Sequence, residues 1–594
     1  MSKMEFKSTT LSGLYVVQPQ AYRDARGSLT RLFCKQEFKA AGLDKEIVQI
    51  NQSVTVARGA VRGMHYQKPP FAEIKIIKCL RGKVFDVAVD LRAGSSTIFQ
   101  WYGVELSAQQ GNAIYIPEGF AHGFQVLEEN SELLYMHTKP YSPEHEGAVR
   151  YDDPKIGIRW PLPIGDVSER DKKHPLLDEK YKGINFMNCR GCGTLLHHEF
   201  IDLGQAPPSN SFLTEQQLRQ TEAKYPLKLF VCGKCFLVQL DEYKRSKEIF
   251  SDDYVYFSSY SRTWLEHAQR YVDMMMQRFD LNADSLVVEL ASNDGYLLQY
   301  FKTKGVPVLG IEPSLSVARA AIQKGIETVI DFFGFGLARD LSTKGRRADL
   351  ITANNVLAHV PDLNDFIKGM KVLLKPGGVI TVEFPHLMEL IDNNQFDTIY
   401  QEHFSYFSLH TVKGIFEKNG LKVFDVETLK THGGSLRVFA AHVEDKAKDV
   451  SARVRDLLSL EQNKGMLSME YYQGFSRKAE KVRSDIMDFL SREKKAGKRI
   501  VAYGAAAKGN TLLNYCGISR DSIDFVVDAS EHKQGKFLPG SHIPVVSEER
   551  IGQTRPNFIL ILPWNLKDEI TQQLAYVRQW GARFVIPIPS LEVF

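Results

Sequence analysis

Two kinds of hydrophobic pattern follow one another along this chain, and each is compatible with a different class of fold. Up to about residue 180, short apolar runs that suit β-strands are broken by glycine and proline, as in KIIKCLRGKVFDVAVDLR. From residue 262, long helical patterns alternate with buried-strand runs such as LVVEL, VLGIE and LITAN. The first pattern is typical of an antiparallel sandwich or barrel, and the second of a parallel sheet with crossover helices. Since 594 residues also exceed what one core supports, we expect a multidomain protein.

These changes of pattern predict five segments. They are a β-barrel domain at 1–182, a cysteine-containing segment at 183–246, an α/β domain at 247–445, a charged helical connector at 446–497 and a second α/β domain at 498–594.

The overall charge and the start of the chain exclude several classes of protein. Lys and Arg number 75 against 71 for Asp and Glu, so the net charge of +4 argues against a protein that wraps nucleic acid or coats a membrane. The first residues contain no apolar secretory core, and no apolar run approaches the roughly 18 residues that span a bilayer. We therefore expect a cytoplasmic protein with no nucleic-acid or membrane partner.

Four of the seven cysteines form two CxxC pairs, which is a strong signal for tetrahedral zinc. The pairs are Cys189 with Cys192 and Cys232 with Cys235, separated by 39 residues. Four thiolates fill a tetrahedral shell, whereas a catalytic zinc keeps an open position, so we predict structural zinc. Redox activity is the alternative, although two pairs in one segment suit a shared metal better.

The string GNAIYIPEGFAHGF in the first domain has the spacing of half a cupin barrel, with Gly111, Pro117, Gly119 and His122. Metal-binding cupins supply HxH from the other half, but here that position reads HYQ, so we predict no metal in the barrel. From spacing alone, a ligand-free barrel used for dimerisation remains an equal alternative.

Four strings in family order, RGMHYQ, FDVAVDLR, IPEGFAHGF and DDPKIGIRWP, resemble the dTDP-4-dehydrorhamnose 3,5-epimerase family. The resemblance implies a jelly-roll (cupin) domain that forms a homodimer and acts on a nucleotide-linked 4-keto-6-deoxy sugar. It implies that His65 is the base, that Asp171 orients it, that Tyr135 is the acid, and that Lys75 steadies the oxyanion. It also implies six substrate contacts: Arg26, Gln49, Arg62, His122, Tyr141 and Glu146.

In the α/β domain, the strand and loop LVVELASNDGYLL lack the G-x-G-x-x-G of dinucleotide folds. An acid instead ends the first strand, and Glu312 ends the next strand, where it can accept both ribose hydroxyls. With the strand DLITANNVLAHVPD, this arrangement resembles the class I S-adenosylmethionine methyltransferases, although a Rossmann-like fold for another ligand is the alternative. The resemblance implies these cofactor-binding residues: Glu289, Asn293, Asp294, Gly295, Glu312, Asp331 and Asn354.

The whole region from Cys189 onward resembles the sugar C-methyltransferases of branched deoxysugar pathways, through DYVYFSSYS, TIYQEHFSYFS, HGGSLRVF and VAYGAAAKGN. The resemblance implies that His403 is the base, with Tyr400 and Glu402 beside it. If this segment is helical, Tyr400, His403 and Tyr406 share one face, although such an aromatic stripe is also typical of a core. Two further tyrosines are candidates to contact sugar or cofactor: Tyr254 and Tyr256.

The last domain contains GAAAKG at 504–509 between a strand and a helix. Backbone amides at a helix N-terminus suit a diphosphate, so we predict that this Rossmann-like domain holds the nucleotide-sugar through Lys508 and Asp528. A second cofactor site is the alternative.

Together these features predict a bifunctional enzyme of deoxysugar biosynthesis, which performs 3- and/or 5-epimerisation and C3-methylation of a dTDP- or GDP-linked 4-keto-6-deoxyhexose. The rival interpretation is a methyltransferase alone, with the barrel as a dimerisation or sugar-binding module. An N- or O-methyltransferase would not need an internal base beside a ketone.

Overall fold

A computed structural model describes residues 4–41, 43, 46–69, 71–184, 186–241, 257–260 and 262–594 of the chain. The chain forms two compact units, Met1–Met187 and Asn188–Phe594. Among the described residues, no helix combines the length and the apolar character that crossing a membrane requires.

The first unit is built almost entirely of antiparallel strands. Its elements are β1 Met4–Ser8, β2 Tyr15–Pro19, β3 Ala21–Asp24, β4 Gly27–Thr30, α1 Lys35–Ala40, β5 Gln49–Thr55, β6 Val61–Gln67, β7 Lys75–Arg81, β8 Lys83–Asp90, β9 Trp101–Ser107, β10 Ala113–Ile116, β11 Phe120–Val126, β12 Ser131–His137, β13 Glu146–Ala148 and α2 Glu169–Lys172. One sheet has the order β1-β2-β10-β7-β12-β5, a second has the order β13-β6-β11-β8-β9, and β3 pairs with β4.

The two larger sheets of this unit share one hydrophobic core. Ile77 and Leu133 of the first sheet lie in one buried cluster with Ala88 and Phe124 of the second. Side chains alternate between the two faces of a strand, so one alternate set of residues in these strands points into this core and the other set points away from it. The expected antiparallel β fold of the first domain is therefore present.

The second unit contains three sheets. Its strands are β14 His198–Ala206, β15 Tyr225–Val231, β16 Val238–Leu240, β17 Val287–Leu290, β18 Val308–Ile311, β19 Thr328–Val329, β20 Ala348–Asn354, β21 Leu374–Pro385, β22 Ser405–Tyr406, β23 Leu421–Leu429, β24 Ser435–His442, β25 Ile500–Tyr503, β26 Val526–Val527, β27 Val545–Val546, β28 Phe558–Ile561, β29 Arg583–Ile586 and β30 Glu592–Val593. Their orders are β14-β15-β16-β22, β19-β18-β17-β20-β21-β24-β23 and β27-β26-β25-β28-β29-β30.

Helices cover and connect these sheets. They are α3 Arg262–Phe279, α4 Leu298–Thr303, α5 Leu315–Gln323, α6 Phe335–Thr343, α7 Leu363–Leu373, α8 Leu387–Asp392, α9 Leu409–Lys418, α10 Ala452–Asn463, α11 Met469–Tyr472, α12 Phe475–Lys495, α13 Ala507–Cys516, α14 Glu549–Thr554 and α15 Lys567–Gln573.

The seven-stranded sheet is parallel from β19 to β21, and the pair β24-β23 is antiparallel. The carboxyl ends of its parallel strands therefore meet at one edge, where ligands of open α/β sheets bind. Glu312 directly follows β18, and Asn354 ends β20, so both lie at this edge.

A continuous core joins segments that the sequence patterns separate. Leu229 of β15, Phe475 of α12 and Ala502 of β25 belong to one buried cluster. In addition, β22 belongs by sequence to the α/β segment 247–445 but pairs with β16, which belongs to the cysteine-containing segment. The boundaries inside this unit remain predictions, because its three sheets share contacts across them.

Candidate active sites

In the first unit, His65 and Asp171 form a hydrogen-bonded pair. Nε2 of His65 on β6 lies 2.7 Å from Oδ1 of Asp171, whose side chain is only 4% exposed. Asp171 sits in the first turn of α2, where the hydroxyl of Ser168 accepts its backbone N–H. Burial raises the pKa of Asp171, but hydrogen bonds from His65 and from the N–H of Gly63 outweigh burial and lower the pKa below its usual range. An ionised carboxylate thus fixes the ring and can stabilise a charged imidazole.

Strand register brings three more predicted residues beside this pair. His122 on β11 is the cross-strand partner of His65, and the ring of Tyr135 on β12 lies 5.9 Å from that of His122. The Nζ of Lys75 on β7 lies 3.4 Å from the carbonyl oxygen of His65 and 3.4 Å from the carboxylate of Glu73. Burial raises the pKa of Tyr135, with a further contribution from Asp86, so its hydroxyl keeps a proton to donate.

Three other predicted contacts form a cluster beside this pair, on β13 and the segments next to it. The hydroxyl of Tyr141 donates to Oε2 of Glu146 at 2.8 Å, and its N–H donates to Oε1 of Gln49 at 3.1 Å. The guanidinium of Arg170 also pairs with Glu146. Arg26 lies elsewhere, on the β3-β4 hairpin, where its 90% exposed side chain pairs with Asp24.

The position of Arg62, on β6 three residues before His65, agrees with a role near the first site. Its positive charge opposes the rise that burial causes in the pKa of Tyr135. The structure thus groups the predicted residues of the first site, apart from Arg26.

In the second unit, a cavity of about 720 Å³ collects residues from all three sheets. Asn210 and Phe212 follow β14, Asn293 and Glu312 follow strands of the seven-stranded sheet, and Lys508 lies in the first turn of α13. The cavity is large enough for a small-molecule ligand.

His403 lines this cavity and is half-buried. The hydroxyl of Tyr400 lies 2.9 Å from Nε2 of His403, and Nδ1 lies 3.2 Å from the carbonyl oxygen of Thr398. A carbonyl oxygen only accepts, so Nδ1 carries the proton and Nε2 accepts from Tyr400. Burial holds the pKa of His403 well below its usual value, and the nearby His359 lowers it further. His403 is therefore neutral near pH 7 and offers Nε2 as a base.

The segment from Tyr400 to Tyr406 is not a helix, so the condition under which Tyr400, His403 and Tyr406 would share one helical face is not met. A 3₁₀ helix ends at Thr398, a turn closes between the N–H of His403 and the carbonyl of Tyr400 at 2.9 Å, and Ser405–Tyr406 forms β22. Pairing of β22 with β16 extends the chain there and prevents a helix. The rings still cluster, with centroids 4.1 Å apart for Tyr400 and His403 and 6.0 Å apart for His403 and Tyr406.

Glu402 and His359 also line the cavity close to His403. Sequence reasoning missed His359. Oε1 of Glu402 accepts from the amide of Asn210 at 2.8 Å. The Nδ1 of His359 donates to the carbonyl of Glu402 at 2.7 Å, and its ring lies 4.7 Å from that of His403. Burial lowers the pKa of His359 to about 4, so it stays neutral. Its place just after β20, at the ligand-binding edge of the sheet, was the signal available in the sequence.

The predicted cofactor residues divide into two groups. Asn293, Glu312 and Asn354 line the cavity, and the two carboxylate oxygens of Glu312 accept from the N–H groups of Asn293 and Ser314, both at 2.9 Å. The remaining four are not among the described residues that line the cavity: Glu289, Asp294, Gly295 and Asp331.

Buried polar atoms near this group fit a polar cofactor. Oε2 of Glu289 and the hydroxyls of Ser292 and Ser314 have no hydrogen-bond partner in the described part of the chain. Burial raises the pKa of Glu289 well above its usual value. Asp294 instead pairs with Lys324 at 3.2 Å, which fixes the loop.

Near the C-terminal sheet, Lys508 lines the cavity, and Asp528 fixes the loop that leads to it. The Nζ of Lys508 lies 2.6 Å from Oδ1 of Asn565 and 4.6 Å from the ring centre of Trp564. Burial lowers the pKa of Lys508. Asp528 accepts the N–H of Ala505 at 2.8 Å and therefore holds the loop that precedes α13. Tyr254 and Tyr256, the other predicted contacts, lie outside the described residues.

The four predicted zinc ligands come together. The sulfurs of Cys189 and Cys235 are 3.4 Å apart, those of Cys192 and Cys232 are 3.5 Å apart, and all four lie within 4.8 Å of one another. Zn–S bonds of about 2.3 Å imply tetrahedral edges of about 3.8 Å, so this cluster fits a zinc ion.

Models of known families match four successive parts of the chain. A dTDP-4-dehydrorhamnose 3,5-epimerase model matches residues 8–179, and a zinc binding domain model matches 189–250. A methyltransferase domain model matches 264–426, and a C-methyltransferase C-terminal domain model matches 430–589.

Known relatives cover both parts. The C-methyltransferase NovU of Streptomyces niveus is 36% identical over 408 residues, which are 68% of this chain and 96% of that protein. The dTDP-4-dehydrorhamnose 3,5-epimerase of Sinorhizobium fredii is 39% identical over 180 residues, which are 30% of this chain and 92% of that protein. The crystal structure of the corresponding epimerase of Elizabethkingia anophelis is 37% identical, with a TM-score of 0.29, and covers 30% of this chain and 98% of that one.

The fold and these sites define an enzyme with an isomerase part and a transferase part. The chain belongs to the dTDP-4-dehydrorhamnose 3,5-epimerase family in its first part and to the NovU-like C-methyltransferase family in its second. It is a fusion enzyme with both activities, and its methyltransferase domain implies S-adenosylmethionine as the methyl donor.

Proposed function

We propose that this enzyme epimerises a nucleotide-linked 4-keto-6-deoxyhexose and methylates it at C3, with dTDP or GDP as the nucleotide. The observation that carries the proposal is that the chain contains two separate histidine bases. His65 pairs with a buried carboxylate, and His403 is neutral and faces a cavity that also contains Glu312. A ketone at C4 makes the hydrogens on C3 and C5 acidic, and both reactions use the resulting enolate.

In the epimerase site, His65 removes the proton and Asp171 stabilises the ring as it becomes charged. The ammonium of Lys75 stabilises the enolate oxygen electrostatically. Tyr135, whose raised pKa keeps its hydroxyl protonated, returns a proton from the opposite face. This return inverts the carbon centre.

In the methyltransferase site, the hydroxyl of Tyr400 first leaves the single lone pair of Nε2 on His403, and Nε2 then takes the C3 proton. Bound S-adenosylmethionine supplies the methyl group on a sulfonium. Glu312 and Asn293 hold the cofactor end of the cavity, and Lys508 together with the N-terminus of α13 holds the diphosphate of the sugar. Glu402, fixed by Asn210, binds a sugar hydroxyl.

The chemistry constrains the position of epimerisation. Methylation removes the last hydrogen on C3, and formation of the C3 enolate erases any earlier configuration there. Epimerisation that survives in the product therefore acts at C5. We therefore favour C5 over C3 as the carbon at which epimerisation changes the final product.

The proposal extends to the zinc ion, which four cysteines hold as a structural ion, and to a homodimer of the jelly-roll (cupin) domain in the cytoplasm. An edge strand supports the dimer, because Ile50 and Val54 on β5, with Val48 and Val56 beside it, expose large apolar side chains. Light scattering of residues 1–182 would test the dimer, and a monomer would contradict it.

Product analysis tests the function directly. The enzyme is incubated in heavy water with S-adenosylmethionine and either dTDP- or GDP-4-keto-6-deoxyglucose, and the products are analysed by mass spectrometry and NMR. We expect a gain of one methyl group on C3 and deuterium on C5. Methylation on oxygen or nitrogen, or methylation without any deuterium at C5, would contradict the proposal.

A further inference from the structure

A third side chain, His174, lies beside the His65–Asp171 pair. It follows α2 by two residues, and its Nε2 lies 3.7 Å from Oδ1 of Asp171. The rings of His65 and His174 have centroids 5.9 Å apart. The Nε2 atom of His174 is buried and has no hydrogen-bond partner among the described residues. A buried ring nitrogen without a hydrogen-bond partner is costly unless another group uses it.

One atom from each of His65, Asp171 and His174 lies within 4.8 Å of the others. Two imidazole nitrogens and one carboxylate oxygen form a usual donor set for divalent transition metals. Metal–ligand bonds of about 2.0–2.2 Å separate such donors by about 3.4 Å in a tetrahedral site. The present separations of 2.7 Å and 3.7 Å from Oδ1 lie on either side of this value, and the three ligand atoms all lie within 4.8 Å of one another.

We propose that His65, Asp171 and His174 form an inhibitory binding site for a divalent transition metal ion, such as Zn2+ or Co2+. The site differs from the four-cysteine cluster and from the HxH position that metal-binding cupins use. His65 is 32% exposed, so an ion can reach the site from solvent. The metal ion binds Nε2 of neutral His174 as one of its three protein ligands, with the ring proton on Nδ1.

Inhibition follows from the protonation of His65. In the metal-free pair, the Nε2 proton points to Asp171, and Nδ1 has the lone pair that removes a substrate proton. A metal ion on Nε2 leaves the neutral ring with its one proton on Nδ1. That ring nitrogen then has no lone pair for the substrate, and Asp171 is occupied by the metal. Epimerisation stops, whereas the methyltransferase site in the second unit is unaffected. This consequence rests on the proposed role of His65, but metal binding itself does not.

Titration of the full-length, zinc-loaded protein with Co2+ tests the site. We expect one additional equivalent of Co2+, with visible d–d absorption but without the thiolate charge-transfer band that the cysteine site would give. His174→Gln should lose this equivalent. His145→Gln is the matched control, because His145 lies in the same unit and bonds to Ser142. Binding that persists in His174→Gln, or no additional equivalent in the wild type, would overturn the proposal.

Deuterium exchange into the sugar tests the inhibition on the same samples. For each variant, the rate with saturating Co2+ is divided by its own metal-free rate. We expect a fall of at least about a hundredfold in the wild type and in His145→Gln, since loss of a general base has this size. His174→Gln should show no fall. Bound Co2+ without a slower exchange would overturn the inhibitory role. If no variant exchanges at all, the proposed epimerase function fails, and the Co2+ spectrum still decides the metal site.

Discussion

Replacing His403 by asparagine separates the base from the fold of the second site. The amide of asparagine can occupy roughly the position of Nδ1 and donate to the carbonyl of Thr398, as His403 does at 3.2 Å. The base atom Nε2 is absent. Because general-base catalysis contributes about 10²–10⁴-fold, we expect methyl transfer to fall at least about a hundredfold, or about 2.7 kcal/mol in the activation free energy.

The same change has a limited effect on stability. The hydroxyl of Tyr400 loses its 2.9 Å hydrogen bond to His403, and a hydrogen bond of this kind contributes about 0.5–1.5 kcal/mol to stability. Domains are stable by about 5–15 kcal/mol, so the variant should remain folded. Asn293 and Glu312 are untouched, and the affinity for S-adenosylmethionine should therefore be close to that of the wild type. Tyr400→Phe removes the same hydrogen bond but keeps the base, and it serves as the control.

The assay measures calorimetric binding of the cofactor and formation of methylated product on one sample. Normal turnover in folded His403→Asn would refute the assignment of the base. A joint loss of stability and cofactor affinity would instead identify His403 as a packing residue. His403→Ala, which also leaves the carbonyl of Thr398 unpaired, should lose as much activity and more stability.

The pH dependence gives an independent test of the same base. Burial and the neighbouring His359 hold the pKa of His403 well below 6.5, and the neutral form is the active one. A base with a lowered pKa stays active as the pH falls through 6.5 and loses its function only below its own pKa. Methyl transfer should therefore show its acid limb below the range of an ordinary histidine. An acid limb at pH 6.5 or above would contradict the burial argument.

Two other changes test the remaining assignments. Purified protein should contain about one zinc per chain, and metal analysis that finds no zinc in freshly reduced protein would contradict this. Cys232→Ser should reduce the yield of folded protein more than it reduces the turnover of the folded fraction. His65→Asn should abolish deuterium exchange at the epimerised carbon, by about a hundredfold or more, while methyl transfer continues. Exchange that survives in the double variant His65→Asn/His403→Asn would show that another residue is the base.

The site residues of the first unit could be predicted because four strings of the sequence resemble one family, and strand register explains why these residues come together. Once RGMHYQ and IPEGFAHGF are antiparallel neighbours, His65 and His122 are opposite each other. The sequence could not reveal the free nitrogen of His174, because that depends on which groups the surrounding chain leaves without a partner.

In the second unit, the local pattern around His403 was misleading. A spacing of three residues suggested a helix, but β22 pairs with a strand that precedes it by more than 160 residues. Tertiary pairing overrides local periodicity when it satisfies backbone groups that a helix would also satisfy. The bond from Asn210 to Glu402 spans 192 residues and has no local signal either.

The two proposed bases differ in a way that suits the two reactions. His65 has an ionised carboxylate beside it, so its charged form is stabilised while the enolate exists, and Tyr135 supplies a different proton to close the cycle. His403 is bonded to neutral groups, the hydroxyl of Tyr400 and the carbonyl of Thr398. Methylation consumes the carbanion, so the proton on His403 has to leave the enzyme before the next turnover. A base with a lowered pKa releases this proton readily at neutral pH. A carboxylate partner at His403 would hold the proton and slow that release, which gives a physical reason for the absence of such a pair among its hydrogen bonds in the described structure.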